Sequence, residues 1–345
     1  MKINSSKVAE LAGVSRSTVS RVINNYSNVP EETKEKIMKV IKELGYIPNT
    51  NAQVLAGKTN KTIGLFVYGD NSEKRNILDS GLTFGYYLDL INRVLKESLK
   101  LEHQLLVDVV NDDSYSKIDS LFINRNIVGA IFIGFKGEDE KLEKLIQKGY
   151  LSVLVDYTLN PKVEAENIFY INTEDYEGAK LATDHLIELG KKNIIHISGN
   201  TEKLSSKERE RGYLEAMNSA QLKPLIYNGN YNQLLAYDEI NRILEEKVEF
   251  DAVFSANDNM SYGVLKALKE KNIIDIPIVG FDNLRNTIPL GIMSIAPDIN
   301  KLAKEAVQSL IFQEKEKEKM KFIKTKLIKD LNEYLKESYL EECSL

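Results

Sequence analysis

LAGVSRSTVSRVINNYSNVPEETKEKIMKVIKELGYIPNTNAQVLAG, residues 11–57, reads as three short helical patterns followed by a separate small one that ends at Gly57. Just before and within its first part, Ala9, Leu11 and Ala12 form a short apolar patch. Gly13 then supplies a residue that tolerates positive φ, and Val14 and Ser15 lead into a second helix with Ser15 placed to cap it. This order is a helix-turn-helix pattern. In the second helix Val19, Val22 and Ile23 recur at helical spacing and face a core, which leaves Arg16, Ser17, Ser20, Arg21 and Asn24 outward or near the helix start. These are side chains that read nucleic acid: arginine grips guanine O6 and N7, while hydroxyls and amides serve phosphates and adenine edges. A polar face on an ordinary helical bundle has the same periodicity, and it is the turn chemistry that separates the two readings.

Residues 49–57 are a second device. Asn49 follows Pro48 and can cap a helix of about two turns, which is too short to hold its own in water. Such a helix forms only against a partner. The alternative is a linker whose Leu55 and Ala56 pack on the neighbouring domain.

The 345 residues suffice for two or three domains, and 43% hydrophobic with 28% charged residues is the balance of a globular chain. Charge is unevenly spread. Residues 1–60 carry 9 Lys+Arg against 5 Asp+Glu, and the remainder carries 37 against 46. A basic head on an acidic body suits one domain that meets nucleic acid and another that does not. The single cysteine, Cys343, excludes an internal disulfide and a multi-cysteine zinc site. No signal-like start and no apolar run of membrane-spanning length is present, so a cytoplasmic location is expected. His103, His185 and His196 form no ligand cluster, and no metal or cofactor is expected.

From residue 62 the period changes. Short β-branched runs alternate with amphipathic stretches: TIGLFVY and a helix near 82–99, HQLLVDVV and 114–124, VGAIFIG and 138–148, then LSVLVDY. A second series follows: NIFYINT and 174–189, NIIHISG and 207–219, PLIYNGN and 232–246, DAVFSAN and 259–270, then IPIVGFD. After GIMSIA come a helix around 300–313, the charge run EKEKEKMK and one alternating strand, FIKTKLIK. The alternation predicts parallel sheets with crossover helices, in two Rossmann-like lobes.

AGVSRSTVSRVIN followed by ELGYIPNTNAQVLAGK resembles the DNA-binding headpiece and hinge of the lactose/purine repressor family of bacterial transcription regulators. DYEGAKLATDHLIELGKKNIIHISG, RERGYLEAM, FSANDNMSYGVLKALKEK and IPIVGFDN resemble that family's effector body, a type I periplasmic-binding-protein fold. The resemblance implies an all-α helix-turn-helix headpiece over 1–47, a hinge helix and linker over 48–60, and an α/β effector-binding and dimerisation domain over 61–330. Its first lobe would comprise about 61–157 and 290–320, its second about 158–289 and 321–330, with 331–345 an added tail. It further implies that Arg16, Ser17 and Arg21 read bases, and that Ser15, Thr18, Asn24, Thr33 and Tyr46 hold phosphates. Asn49 would start the hinge helix, and Leu55 would wedge between base steps and kink the duplex. Two positions depart from the family pattern. Lys7 stands where an acid is usual, within reach of a phosphate, and Pro30 stands where a serine usually caps the third helix.

Lobes of this kind bind ligands at the carboxyl ends of their strands. Asp156 ends LSVLVDY, Asn257 and Asp258 end the FSAND strand, Asp282 ends IPIVGFD, and Arg209 begins the helix after NIIHISG. Carboxylates and an amide beside one arginine suit a neutral, multiply hydroxylated effector. Tyr231, after NGN, matches the family's stacking aromatic, and Tyr68 ends the first strand; both suit the C–H face of a sugar. Asp258 can equally be a helix cap, and Asp282 with Arg209 can equally be a structural ion pair. The expected function is a non-enzymatic, homodimeric, sequence-specific repressor of carbohydrate uptake and breakdown genes, released from a roughly palindromic operator by a sugar. The alternative is a catabolite-type regulator of the same family, controlled by a phosphoprotein partner or a corepressor. A solute-binding protein lacks the headpiece, and a sugar-kinase-like repressor calls for phosphate-binding glycine motifs that this chain does not carry. No nucleophile, base and oxyanion set is present either.

Overall fold

The computed structural model describes residues 4–23, 26, 28–44, 61–69, 85–158, 165–313 and 319–335. Asn24, Tyr46, Asn49, Leu55, the whole of the 48–60 hinge and most of the 331–345 tail, with Cys343, lie outside them.

The headpiece holds α1 (Ser5–Ala12), α2 (Arg16–Ile23) and α3 (Glu31–Leu44). Asn4 caps α1 by accepting the Lys7 amide. Gly13, at φ 62°, closes it: its own amide and that of Val14 both turn back to the Ala9 carbonyl. Only a residue free to enter the left-handed region makes this stop cheaply. Val8, Ala9, Ala12, Val19, Val22 and Ile37 form the buried centre. Leu11 is not part of it; at 51% exposure it points outward, and Val8 fills the place expected for it, one helical turn from Ala12. Pro30 stands one residue ahead of α3 rather than at its first position, its carbonyl accepting the Lys34 amide, and Glu31 and Glu32 face the positive end of the helix dipole. Lys7 is paired with Glu10 at 2.8 Å.

The body contains two six-stranded sheets. The first is ordered β2-β1-β3-β4-β5-β11 and the second β7-β6-β8-β9-β10-β12. Its strands are β1 (Thr62–Tyr68), β2 (Gln104–Val110), β3 (Gly129–Ile133), β4 (Ser152–Val155), β5 (Ile168–Thr173), β6 (Ile194–Ser198), β7 (Leu225–Asn228), β8 (Ala252–Ser255), β9 (Ile278–Phe281), β10 (Met293–Pro297), β11 (Met320–Ile323) and β12 (Thr325–Ile328). Its helices are α4 (Tyr86–Lys100), α5 (Tyr115–Ile123), α6 (Glu140–Ile146), α7 (Asp175–Glu188), α8 (Leu204–Ser219), α9 (Gln233–Glu245), α10 (Asp258–Glu270) and α11 (Ile299–Phe312). All of β3, β4, β6, β8 and β9 is buried, as strands covered by helices on both faces must be. Both lobes therefore repeat one doubly wound order, 2-1-3-4-5, whose strand order reverses between the first and third strands, which remain parallel.

Three expectations about the lobes are corrected. NIFYINT does not open the second lobe: β5 pairs in parallel with β4, from Ser152↔Ile168 to Val155↔Ile171, and closes the first sheet's parallel run. GIMSIA, expected in the first lobe, supplies β10 of the second, beside β9. FIKTKLIK is not one strand. It divides at Lys324 into β11, parallel to β5 in the first sheet, and β12, antiparallel to β10 in the second. A buried β-branched run carries no label for the sheet it joins, because both lobes offer the same kind of edge. The chain crosses between lobes after Thr173, near Asp298 and at Lys324, and the crossings are stitched together. The Glu174 amide donates to the Ile323 carbonyl at 2.9 Å, and the Asp298 amide to the Lys324 carbonyl at 3.3 Å.

Candidate functional site

On the headpiece, the Ser15 hydroxyl accepts the Thr18 amide at 3.1 Å, which makes it the cap of α2. It also lies 2.8 Å from the Thr18 hydroxyl and 2.7 Å from that of Ser17. Arg16, Ser17, Ser20 and Arg21 are exposed along α2, opposite the buried Val19 and Val22. Arg16 Nε donates to Ser5 Oγ at 3.0 Å, which steadies the side chain across α1. Thr33 is half-buried in the first turn of α3.

In the body, the centre of the site is Arg209. The helix that carries it starts at Leu204, earlier than the sequence suggested, so Arg209 lies inside α8 and is 6% exposed. Its Nε donates to Asp175 Oδ1 at 2.7 Å, its Nη1 donates to the Ala256 carbonyl, and Asp282 Oδ1 stands 3.6 Å from Nη1. The guanidinium plane covers the Phe281 ring, 3.6 Å from its centroid. Asp175, missed in the sequence, is thus the close partner, with Asp282 the looser one. The signal for it was present: Asp175 directly follows the strand end NTE, the position by which Asp282 and Asp156 were found.

Burial dominates the electrostatics. It pushes the Asp175 carboxyl up to about 7 although Arg209 pulls the other way, and it lifts Asp156 and Asp282 as well. Asp156 Oδ1 accepts the Thr173 amide at 2.8 Å, holding the end of β4 against the first lobe crossing. Three site residues take backbone angles that L side chains rarely adopt: Asp156 at φ 50°, Tyr231 at 57° and Asp282 at 103°. Each such residue costs ~1–3 kcal/mol, and strain of this kind collects at ligand sites.

Tyr231 lies over Gly199. A Cβ built there would stand 2.3 Å from the ring, so only glycine lets the aromatic lie flat on the end of β6. The Tyr231 hydroxyl meets Ser205 Oγ at 3.0 Å, and its ring centroid is 6.0 Å from the Arg209 guanidinium. Gly199 and Ala256 follow β6 and β8, the pair at which the second lobe's strand order reverses, so the cluster occupies the switch point where such folds bind ligands.

Three of the expected residues have protein partners of their own. Asn257 is the cap of α10, its Oδ1 accepting the Met260 amide at 2.9 Å, which leaves its amide nitrogen for a ligand. The Tyr68 hydroxyl donates to Asp112 at 2.9 Å and its ring packs on Phe135. Asp258 is structural. It accepts the Leu284 amide and the hydroxyls of Thr287 and Ser294 within 2.8 Å, which ties α10 to the loop after β9, and burial raises its carboxyl to about 7.

The lobes touch beside the cluster. The Gly137 amide donates to the Glu202 carbonyl at 2.8 Å, Lys136 pairs with the Glu202 carboxylate at 2.8 Å, and Lys203 Nζ donates to the Tyr87 hydroxyl at 3.2 Å. Among the described residues no group of three or more His, Cys, Asp or Glu side chains is arranged to hold a metal ion. No described helix is long and apolar enough to cross a membrane.

Comparison with known proteins agrees with both halves. Residues 6–49 match the model for bacterial regulatory proteins of the lacI family, and residues 183–329 match a periplasmic binding protein-like domain. The HTH-type transcriptional repressor PurR of Vibrio atlanticus (strain LGP32) is 30% identical over 286 residues, covering 80% of this chain and 81% of that protein. The Lac repressor dimer bound to operator and the anti-inducer ONPF superposes with a TM-score of 0.78 at 23% identity, over 95% of this chain and 98% of that one. A complex of the transcriptional regulator CelR with cellobiose gives 0.66, also at 23% identity, over the same 95% and 98%. With a helix-turn-helix headpiece and a two-lobed effector body matched along four-fifths of a curated repressor, the chain belongs to the lacI family of bacterial transcription regulators.

Proposed function

We infer that this regulator is a homodimeric repressor of carbohydrate uptake or breakdown genes, and that a neutral sugar in the lobe cleft releases it from its operator. The observation that carries the reading is the set Asp156 and Asp282 at strand ends, Asp175 at the start of α7 and Arg209 within α8, with Tyr231 laid flat beside it. Paired hydroxyls of a sugar both donate to carboxylates and accept from a guanidinium, and the exposed C–H face fits an aromatic plane. The cellobiose held by CelR, a structure of the same fold, is in keeping with that chemistry.

On the DNA side, Arg16, Ser17 and Arg21 are offered to base edges by the exposed face of α2, with Ser15, Thr18 and Thr33 at the phosphates. Two such helices in successive major grooves call for a roughly palindromic site with half-sites about one turn apart. Residues 48–60 would supply the paired hinge, with Leu55 as the wedge. Sugar-driven closure of the lobes needs a coupling of only ~1–3 kcal/mol to change operator affinity five- to 150-fold.

The test is a thermal-shift screen of the full-length protein against neutral mono- and disaccharides, sugar phosphates and nucleobases, followed by operator gel shifts with any hit. A sugar that stabilises the wild type, leaves Asp282→Ala unmoved and weakens operator binding is the expected result. A nucleobase hit that strengthens operator binding would replace release with corepression. Silence across the panel, with operator binding intact, would favour control by a protein partner.

A further inference from the structure

We propose that Ser5 is a positioning residue for base reading: its hydroxyl holds Arg16 by Nε, so that the guanidinium meets the duplex by its terminal edge and selects guanine. The inference rests on the base-reading role given to Arg16 above and names what aims that side chain.

Ser5 is the first residue of α1, directly after the Asn4 cap, and Arg16 is the first residue of α2. The turn at Gly13 folds both helices onto the shared core of Val8, Ala12, Val19 and Val22, which brings the two helix starts together. There Arg16 Nε donates to Ser5 Oγ at 3.0 Å, across eleven positions of sequence. The first residues of the second helix in a helix-turn-helix are the ones that reach base edges, so this bond grips a base-reading side chain by its neck. The short side chains beside it are engaged differently. The hydroxyls of Ser15, Ser17 and Thr18 bond to one another at 2.7 and 2.8 Å, and none of them is tied to α1 by these bonds.

A guanidinium can present paired donors on two edges: a side edge made of Nε and one Nη, and a terminal edge made of both Nη groups. Either edge can clasp a phosphate or span two acceptors of a base. With Nε engaged by Ser5, only the terminal edge of Arg16 keeps its pair. Two donors side by side call for two acceptors side by side, and in the major groove guanine alone offers them, at O6 and N7. The bond lies in the open, so it adds little to the stability of the headpiece. Its effect is on order. Arginine is rich in rotamers, and a tether at Nε restricts them before DNA arrives, an ordering that binding otherwise has to supply. An untethered arginine can swing to a phosphate and so tolerate a wrong base; a tethered one cannot.

The experiment selects a duplex from a randomised library with the full-length wild type. It then measures the affinity of wild type, Ser5→Ala, Ser5→Thr and Arg16→Ala for every single-base-pair variant of that duplex, at one salt concentration. Arg16→Ala should erase the preference at one base pair of each half-site, and the wild type should require guanine there. Ser5→Ala should weaken discrimination at that same pair about three- to tenfold, the worth of one hydrogen bond, with every other position and the affinity for an unselected duplex unchanged. Ser5→Thr keeps the hydroxyl and should keep the preference. Alanine is a good helix former at this place, so amide protection of the headpiece should be the same in Ser5→Ala; lost protection would make the bond structural and overturn the proposal. So would an even loss over all sequences, which marks a phosphate contact, a loss at a different base pair, which marks Ser5 as a reader in its own right, or no change at all. If Arg16→Ala leaves every preference intact, the base-reading role of Arg16 fails and this proposal with it, and that case is told apart because no base pair is then assigned to Arg16.

Discussion

His196 shows how a single side chain can be polar and yet belong to the core. It is wholly buried in β6, stacked on Tyr213 at 5.1 Å and on Phe254 at 4.7 Å, with Nδ1 3.0 Å from the Phe254 carbonyl and Nε2 without a hydrogen-bond partner among the described residues. Burial lowers its pKa from 6.5 to about 4. Between those values the unfolded chain binds the proton more tightly, so stability is lost as pH falls from 6.5 towards 4. Asp175 and Asp258, raised to about 7, act in the opposite sense: the folded form holds their protons, and stability is lost as pH rises through that same range. His196→Phe isolates the first effect, since the carboxylates are common to both proteins. The Tm of the wild type minus that of the variant should fall between pH 7 and pH 5; a constant difference would mean that the imidazole titrates normally. The residue-scale site was legible where one rule applied, that polar residues end strands. Asp156 and Asp282 followed from it, and Arg209 from its place at the start of the next helix. Lys203 did not, because nothing local to a lysine tells which lobe it will face.

Among the elements, α2 carries the heaviest demand on the shortest length. Eight residues form too short a helix to persist alone, so it depends on the Val19 and Val22 contacts and on its cap. Ser15→Ala removes the hydroxyl that accepts the Thr18 amide and should cost about 1 kcal/mol of headpiece stability. Amide exchange in the full chain is the direct measurement, with α2 and α1 losing protection by about fivefold and the body unchanged. Loss spread over both would mean that the cap is not local. The helices were readable from spacing and turn chemistry, with boundaries off by a few residues, as at α8. The strands were readable as strands. Their assignment to sheets was not, and β5, β10 and the divided FIKTKLIK run mark where the signal ended: pairing is a long-range choice between equivalent edges.

At the scale of the whole body, function depends on how firmly the lobes hold each other. Lys136 and Glu202 are partly exposed, so their pair contributes ~0–1 kcal/mol, and the neighbouring Gly137 amide bond shares the task. Lys136→Ala should speed exchange of the Gly137 amide by about two- to fivefold without unfolding either lobe. An unchanged rate would assign the contact to the backbone alone. Contacts this weak suit a receptor that must open to admit its ligand.

Lys324 sets a limit on that opening. It is the only residue between Ile323 in one sheet and Thr325 in the other, and consecutive Cα atoms cannot separate beyond about 3.8 Å. At that seam the sheets can pivot but not draw apart. Under the proposed lobe closure a bound molecule would be reported as an angle, and one pivot would convey the presence of many chemically different visitors. The cleft can change its taste while the lever that carries the message keeps its fulcrum.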